Sequence, residues 1–199
     1  MRRALAALAL ALAVDPAGAA RYEAADLVNV LLSPEWASWL IGPYVRMATE
    51  QEVREFGKLT RDEDAAAFVE RFWARRDPDP ARPGNPVREA AERRAEEADR
   101  RFTEAGVTGR RTDRGAIFVI YGEPEKVDHE PSQIYGEPPL EVWTYPASAP
   151  RGLDGRQPAR FYRFVKRDDL TGFYVPGRPG RFTQRGDPTL PPQRPGSDG

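Results

Sequence analysis

The chain has 199 residues, 40% hydrophobic and 31% charged, with a formal net charge of −1 and no cysteine. That length supports one ordinary core without metals or disulfides, and the missing cysteines exclude a disulfide framework and a lipidated N-terminal cysteine. Basic residues alternate with acidic ones almost throughout, unlike the clustered Lys/Arg surface that phosphate backbones require, so nucleic acid is not an expected partner.

Residues 1–19 place Arg2 and Arg3 before the apolar run Ala4 to Val14, then Pro16 and Ala17-Gly18-Ala19. This is the pattern of a secretory signal peptide cleaved after Ala19. The run is shorter than the ~20 residues a membrane span needs. The expectation is an exported chain, periplasmic or extracellular, with no stable membrane span in its mature form.

Residues 20–46 form a hydrophobic helical entry segment carrying Leu27, Val28, Leu31, Leu32, Trp36, Trp39 and Leu40. Pro34 fits the first position of a helix capped by Ser33, and Gly42-Pro43 breaks the chain direction. Thr49 to Lys58 reads as a short acidic helix. After it, Thr60 and Glu63 have the spacing of a capping box under Leu59. Ala65, Phe68, Val69, Phe72 and Trp73 then recur at helical steps and make an aromatic stripe that must be buried. Each such side chain, fully buried, contributes about 1.5 to 3 kcal/mol.

Prolines 78, 80, 83 and 86 enforce an extended connection. Asn85-Pro86 restarts a helical pattern with a narrow stripe of Val87, Ala91, Ala95, Ala98 and Phe102. Glu89/Arg93, Glu96/Arg100 and Glu97/Arg101 are spaced for i,i+4 pairing on a solvated face, and Gly106 closes the helix. Four β-type runs follow: Ala116–Tyr121, apolar on both faces as a covered central strand would be, then Leu140–Tyr145, Ala159–Val165 and Gly172–Val175. Lys166 to Gly172 reads as the hairpin turn between the last two runs. Residues 176–199 are a Pro/Gly-rich tail of the disordered type.

No nucleophile elbow, zinc motif, Walker loop or dinucleotide fingerprint is present. The single histidine, His129, sits in the polar stretch V-D-H-E-P-S, where solvation is the ordinary role. No catalytic residue, metal site or cofactor is therefore assigned. Paired carboxylates are the one chemistry left open, with Asp77, Asp79 and Asp113 as candidates. Their structural readings are favoured: Asp77 in an Asx-turn before Pro78, Asp113 and Thr112 bonding backbone N–H groups before Arg114-Gly115.

G-R-R-T-D-R-G-A-I-F-V-I-Y-G-E-P, with Gly109, Thr112, Asp113, Arg114, Gly115, Tyr121, Gly122 and Pro124, resembles the signature of the GWxTD domain family of bacterial exported proteins. F-W-A-R-R-D-P, with Phe72, Trp73, Arg76, Asp77 and Pro78, resembles that family's Phe-Trp-x-x-Arg-Asp-Pro block, and E-V-W-T-Y its later aromatic strand. The resemblance spans roughly Met47 to Val175 and departs at Arg110, where the family has tryptophan. It implies an envelope or extracellular domain without an assigned activity, and it carries over no catalytic residue.

The resulting expectation is an α+β domain over residues 47–175, with N-terminal helices on a small, mainly antiparallel sheet packed against Phe68, Phe72, Trp73 and Phe102. Functionally the chain reads as a non-catalytic interaction module with an envelope protein partner, displaying exposed aromatics such as Tyr135, Trp143 and Tyr145. The alternative is a carboxylate-dependent hydrolase of envelope polysaccharide.

Overall fold

The computed structural model describes Tyr22, residues 24–132 and residues 136–174. The signal-peptide pattern, Tyr135, Val175 and the Pro/Gly-rich tail lie outside these residues. The architecture is α+β: among the described residues there are six α-helices and one antiparallel sheet. None of the described helices is long and apolar enough to cross a membrane.

Helix formation begins with two short pieces, α1 (Pro34–Ala37) and α2 (Pro43–Met47), each with proline in its first turn. The expected Ser33 cap does not form. The Ser33 amide instead donates to Asp62 Oδ1 at 3.0 Å, tying α1 to the start of a later helix. In α3 (Glu50–Phe56) Thr49 and Glu52 make the capping box. The box expected at Thr60/Glu63 is absent. α4 (Asp62–Ala74) starts one residue too late for it, with Arg61 at the N-cap and its guanidinium forked onto Asp64 at 2.9 Å.

Helix α5 (Pro86–Phe102) is capped by Asn85, whose Oδ1 accepts from the Val87 and Arg88 amides while its Nδ2 reaches the Trp73 carbonyl at 2.8 Å. That one side chain fixes the start of α5 against the end of α4. The helix stops at Phe102, with Thr103 donating to the Asp99 carbonyl, so Gly106 lies in the following turn and does not close the helix. On its solvated face the ion pairs are Arg88 with Glu92 and Arg100 with Glu97; Arg101 leaves its expected partner and reaches Glu123.

The largest correction concerns Ala116–Tyr121, which is helical. α6 (Asp113–Tyr121) follows a 3-10 turn at Gly109–Arg111. Gly115 through Ile120 are all buried. A short run that is apolar on every side suits a covered strand and an enclosed helix equally well, and periodicity cannot separate the two. Thr112, at the N-cap, decides the matter by accepting a hydrogen bond from the Gly115 amide.

The sheet has the order β1 (Lys126–Glu130), β2 (Leu140–Thr144), β3 (Phe161–Arg167) and β4 (Leu170–Phe173), every neighbour antiparallel. The hairpin turn is as expected, with Asp168 at φ 54°. β1 was not expected, and it places His129 on an edge strand and not in a loop. One face of the sheet turns Trp143, Tyr162 and Phe164 into the main core. There Phe102 meets Phe118 and Trp143, with ring centroids 5.6 and 5.5 Å apart. Phe68, Phe72 and Trp73, expected to face the sheet, make ring contacts with Trp39, Tyr44 and Phe56. Trp143 and Tyr145 are each 2% exposed, so they cannot be surface aromatics.

Candidate functional site

The signature residues form a joint between the helical layer and the sheet. Thr112 Oγ1 accepts from the Gly115 amide at 3.1 Å and donates to the Gly109 carbonyl at 2.8 Å, so one hydroxyl closes the 3-10 turn and opens α6. Gly109 and Gly115 permit that closure. A Cβ on Gly109 would collide with the Ala98 carbonyl of α5, and one on Gly115 with the Gly109 carbonyl.

Asp113, expected to bond within its own turn, reaches the sheet. Its Oδ2 accepts the Phe173 amide of β4 at 2.8 Å, and Oδ1 lies 3.8 Å from Arg46, whose guanidinium covers the Phe173 ring. Arg114 extends two arms in the same direction, to Glu104 Oε2 at 2.9 Å and Glu141 Oε2 at 3.0 Å. Glu104 also accepts the amide and hydroxyl of Thr171, each at 3.0 Å, and Glu141 accepts the Trp143 indole N–H at 2.6 Å.

Arg114 and its partners Glu104 and Glu141, with Thr171, wall a cleft of about 240 Å³ where the seam between helices and sheet opens to solvent. Glu104, Arg114, Glu141, Phe164 and Thr171 line its interior, and the exposed side chains of His129 and Lys166 stand at its mouth. A general acid must deliver a proton to a leaving group. Glu104 already accepts three hydrogen bonds and Glu141 two, so both carboxylates serve as acceptors inside a structural network.

The second motif block is built the same way. Phe72 and Trp73 are core residues. The Arg76 guanidinium lies 3.5 Å from the Phe72 ring centroid and donates to the Phe72 and Met47 carbonyls, each at 2.7 Å, and to both oxygens of Glu52. Burial pushes the Glu52 carboxyl up, but the bonds from Arg76 and the Thr49 amide outweigh it and hold the group down at about 2. Asp77 Oδ1 accepts the Asp79 amide across Pro78 at 3.0 Å, the Asx-turn expected, and Asp79 pairs with Arg82. Helix α2 touches both blocks, through Arg46 to Asp113 and through the Met47 carbonyl to Arg76.

At the far end of α6, Gly122 turns the chain at φ 79°, Pro124 is buried, and Arg94 donates to the Val119 and Ile120 carbonyls. Tyr121 donates to Asp154 at 3.0 Å and stacks on Tyr162; burial pushes its hydroxyl well above the usual tyrosine range, with Tyr162 and Asp154 adding to the shift. Arg110, at the position where the related signature has tryptophan, is held by Asp99 and lies beside Tyr44.

The structure thus brings Gly109, Thr112, Asp113, Arg114 and Gly115 together, and places Arg76, Asp77 and Pro78 at a separate corner. Asp77, Asp79 and Asp113 do not line the cleft. Among the described residues no cluster of His, Asp or Glu is arranged to hold a metal ion. The acids that do meet Arg114, Glu104 and Glu141, were not anticipated. Glu141 was accessible from alternation, because it shares its side of β2 with Trp143; Glu104, in a turn, carried no signal. A family model described as GWxTD domain matches residues 34–153. No curated protein and no solved structure matches.

Proposed function

Since the chain belongs to the GWxTD domain family, we propose that it is an exported, non-catalytic interaction domain of the bacterial cell envelope. The observation that carries this reading is how the signature polar groups are used. Thr112, Asp113, Arg114 and Arg76 spend their hydrogen bonds on backbone and on acids of the same chain. Export rests on the Arg2-Arg3, apolar and Ala17-Gly18-Ala19 pattern. Residues so committed position a surface and leave chemistry to others.

The test has two parts. The mature protein should begin at Ala20 in an envelope fraction, read by mass spectrometry of its N-terminal peptide, and should retain a specific protein on affinity purification from that fraction. Thr112→Ala, which removes the cap of α6, should destabilise by about 1 to 2 kcal/mol with Thr112→Ser largely restoring it. A cytoplasmic, uncleaved chain that recovers no partner defeats the reading.

A hydrolase of envelope polysaccharide is the second reading, and the observation in its favour is the meeting of Glu104 and Glu141 in one cleft. It requires that Glu104→Gln or Glu141→Gln abolish glycan turnover in a protein that still folds.

A further inference from the structure

Among the described residues β1 is an open edge, paired with β2 alone. The Tyr145 amide donates to the Arg160 carbonyl, which sets the parity of the whole sheet. Trp143 and Glu141 then turn their backbone groups to β3, and Leu140, Val142 and Thr144 turn theirs to β1. On β1 itself Lys126, Asp128 and Glu130 face β2. The N–H and C=O groups of Val127 and His129 therefore point outward, and no strand among the described residues receives them. Such edges attract a further strand.

The side chains on this edge are ordered in a way that blunting alone does not call for. Val127, opposite Trp143, is 46% exposed, an apolar residue at the rim of the core seam. Around it runs Glu125-Lys126-Val127-Asp128-His129. Laid antiparallel on itself about Val127, this stretch sets Glu125 opposite His129, Lys126 opposite Asp128 and Val127 opposite Val127. Every cross-strand pair is complementary, and the outward backbone groups of the two Val127 residues fall in register. Centring on Asp128 instead would oppose two aspartates, which is destabilising. Within one chain Lys126 and Asp128 already pair at 2.9 Å, so both lie on one face within mutual reach.

We propose that β1 pairs with β1 of a second copy of this chain about a two-fold axis at Val127, joining two four-stranded sheets into one of eight strands. A symmetric contact of this kind is self-complementary by construction. In it, Lys126 and Asp128 of the two copies form a square of alternating charge. Glu125 of the second copy meets His129 at the mouth of the cleft, so the dimer would carry two clefts flanking its axis. The contact is short, which places it among weak, concentration-dependent associations. It goes beyond the envelope-interaction reading, because strand pairing needs neither export nor another protein.

Sedimentation velocity of the full chain over a range of concentrations tests it. The wild type should show a reversible monomer–dimer equilibrium. Lys126→Asp alone, or Asp128→Lys alone, sets like charges opposite each other and should weaken dimerisation by about tenfold. The double variant Lys126→Asp/Asp128→Lys restores complementarity and should restore dimerisation. Val127→Lys should abolish it. All these side chains are at the surface, and unchanged circular dichroism would verify folding. A chain monomeric at every soluble concentration, or a dimer indifferent to the single swaps and to Val127→Lys, overturns the proposal.

Discussion

Glu52 is a nearly buried acid held by four donors: the Thr49 amide, two arms of Arg76, and Arg75. Its carboxyl is depressed from 4.5 to about 2, so the charged form is the one the fold stabilises. The stabilisation is complete above the unfolded value near 4.5 and disappears as pH falls through 2. It amounts to at most about 3 kcal/mol. Thermal melts from pH 7 down to pH 2 should show a fall in Tm concentrated in that window. Glu52→Gln should lower Tm at neutral pH and flatten that part of the profile. The residue could be found in the sequence, since Thr49-Glu50-Gln51-Glu52 has the capping-box spacing. Thr60 and Glu63 have that spacing too, but α4 starts one residue later, at Asp62, whose side chain accepts from the Ser33 amide. A contact 29 residues away in the chain leaves no local mark.

At the scale of elements, α6 depends on two contacts that only glycine allows. Gly115→Ala drives a methyl into the Gly109 carbonyl at the cap of α6, where backbone and not a flexible side chain must yield. Overpacking of that kind should cost about 3 kcal/mol or more. Urea denaturation of Gly115→Ala, compared with Gly57→Ala, should show a large fall in midpoint for the first only, because a Cβ on Gly57 would meet its nearest atom at 3.5 Å. The same element shows where local reading stops. Helices α4 and α5 announced themselves by long amphipathic periods, whereas α6 has nine residues and no polar side to give it a period. β1 was invisible for the converse reason: K-V-D-H-E has a single apolar residue, Val127, too few to show an alternation, as an open edge can be.

Across the described residues the main core cluster runs from Leu32 and Leu40 through Phe72 and Phe102 to Tyr162 and Phe164, beside a smaller one of Leu140, Val142 and Val165. It leaves no plane along which helices and sheet could part. Thermal unfolding followed by tryptophan fluorescence, by far-ultraviolet circular dichroism and by near-ultraviolet aromatic signals should therefore give coincident transitions, with calorimetric and van't Hoff enthalpies in agreement. Separated transitions would mean that Trp39 and Trp143 belong to independent units. The α+β class and the aromatic anchors were legible because they depend on patterns within tens of residues. The cleft was not, because Glu104, Arg114, Glu141 and Thr171 come from four segments that only the finished packing assembles.

The joint around Asp113 also fixes an order of events. Its carboxylate waits for the amide of Phe173, 60 residues later, and Glu104 for Thr171, 67 residues later. A ribosome delivers those amides after β1, β2 and β3. Until it does, the turn carrying the family signature grips the sheet only through Arg114 and Glu141, and a product truncated before Leu170 never gains the Asp113–Phe173 and Glu104–Thr171 bonds.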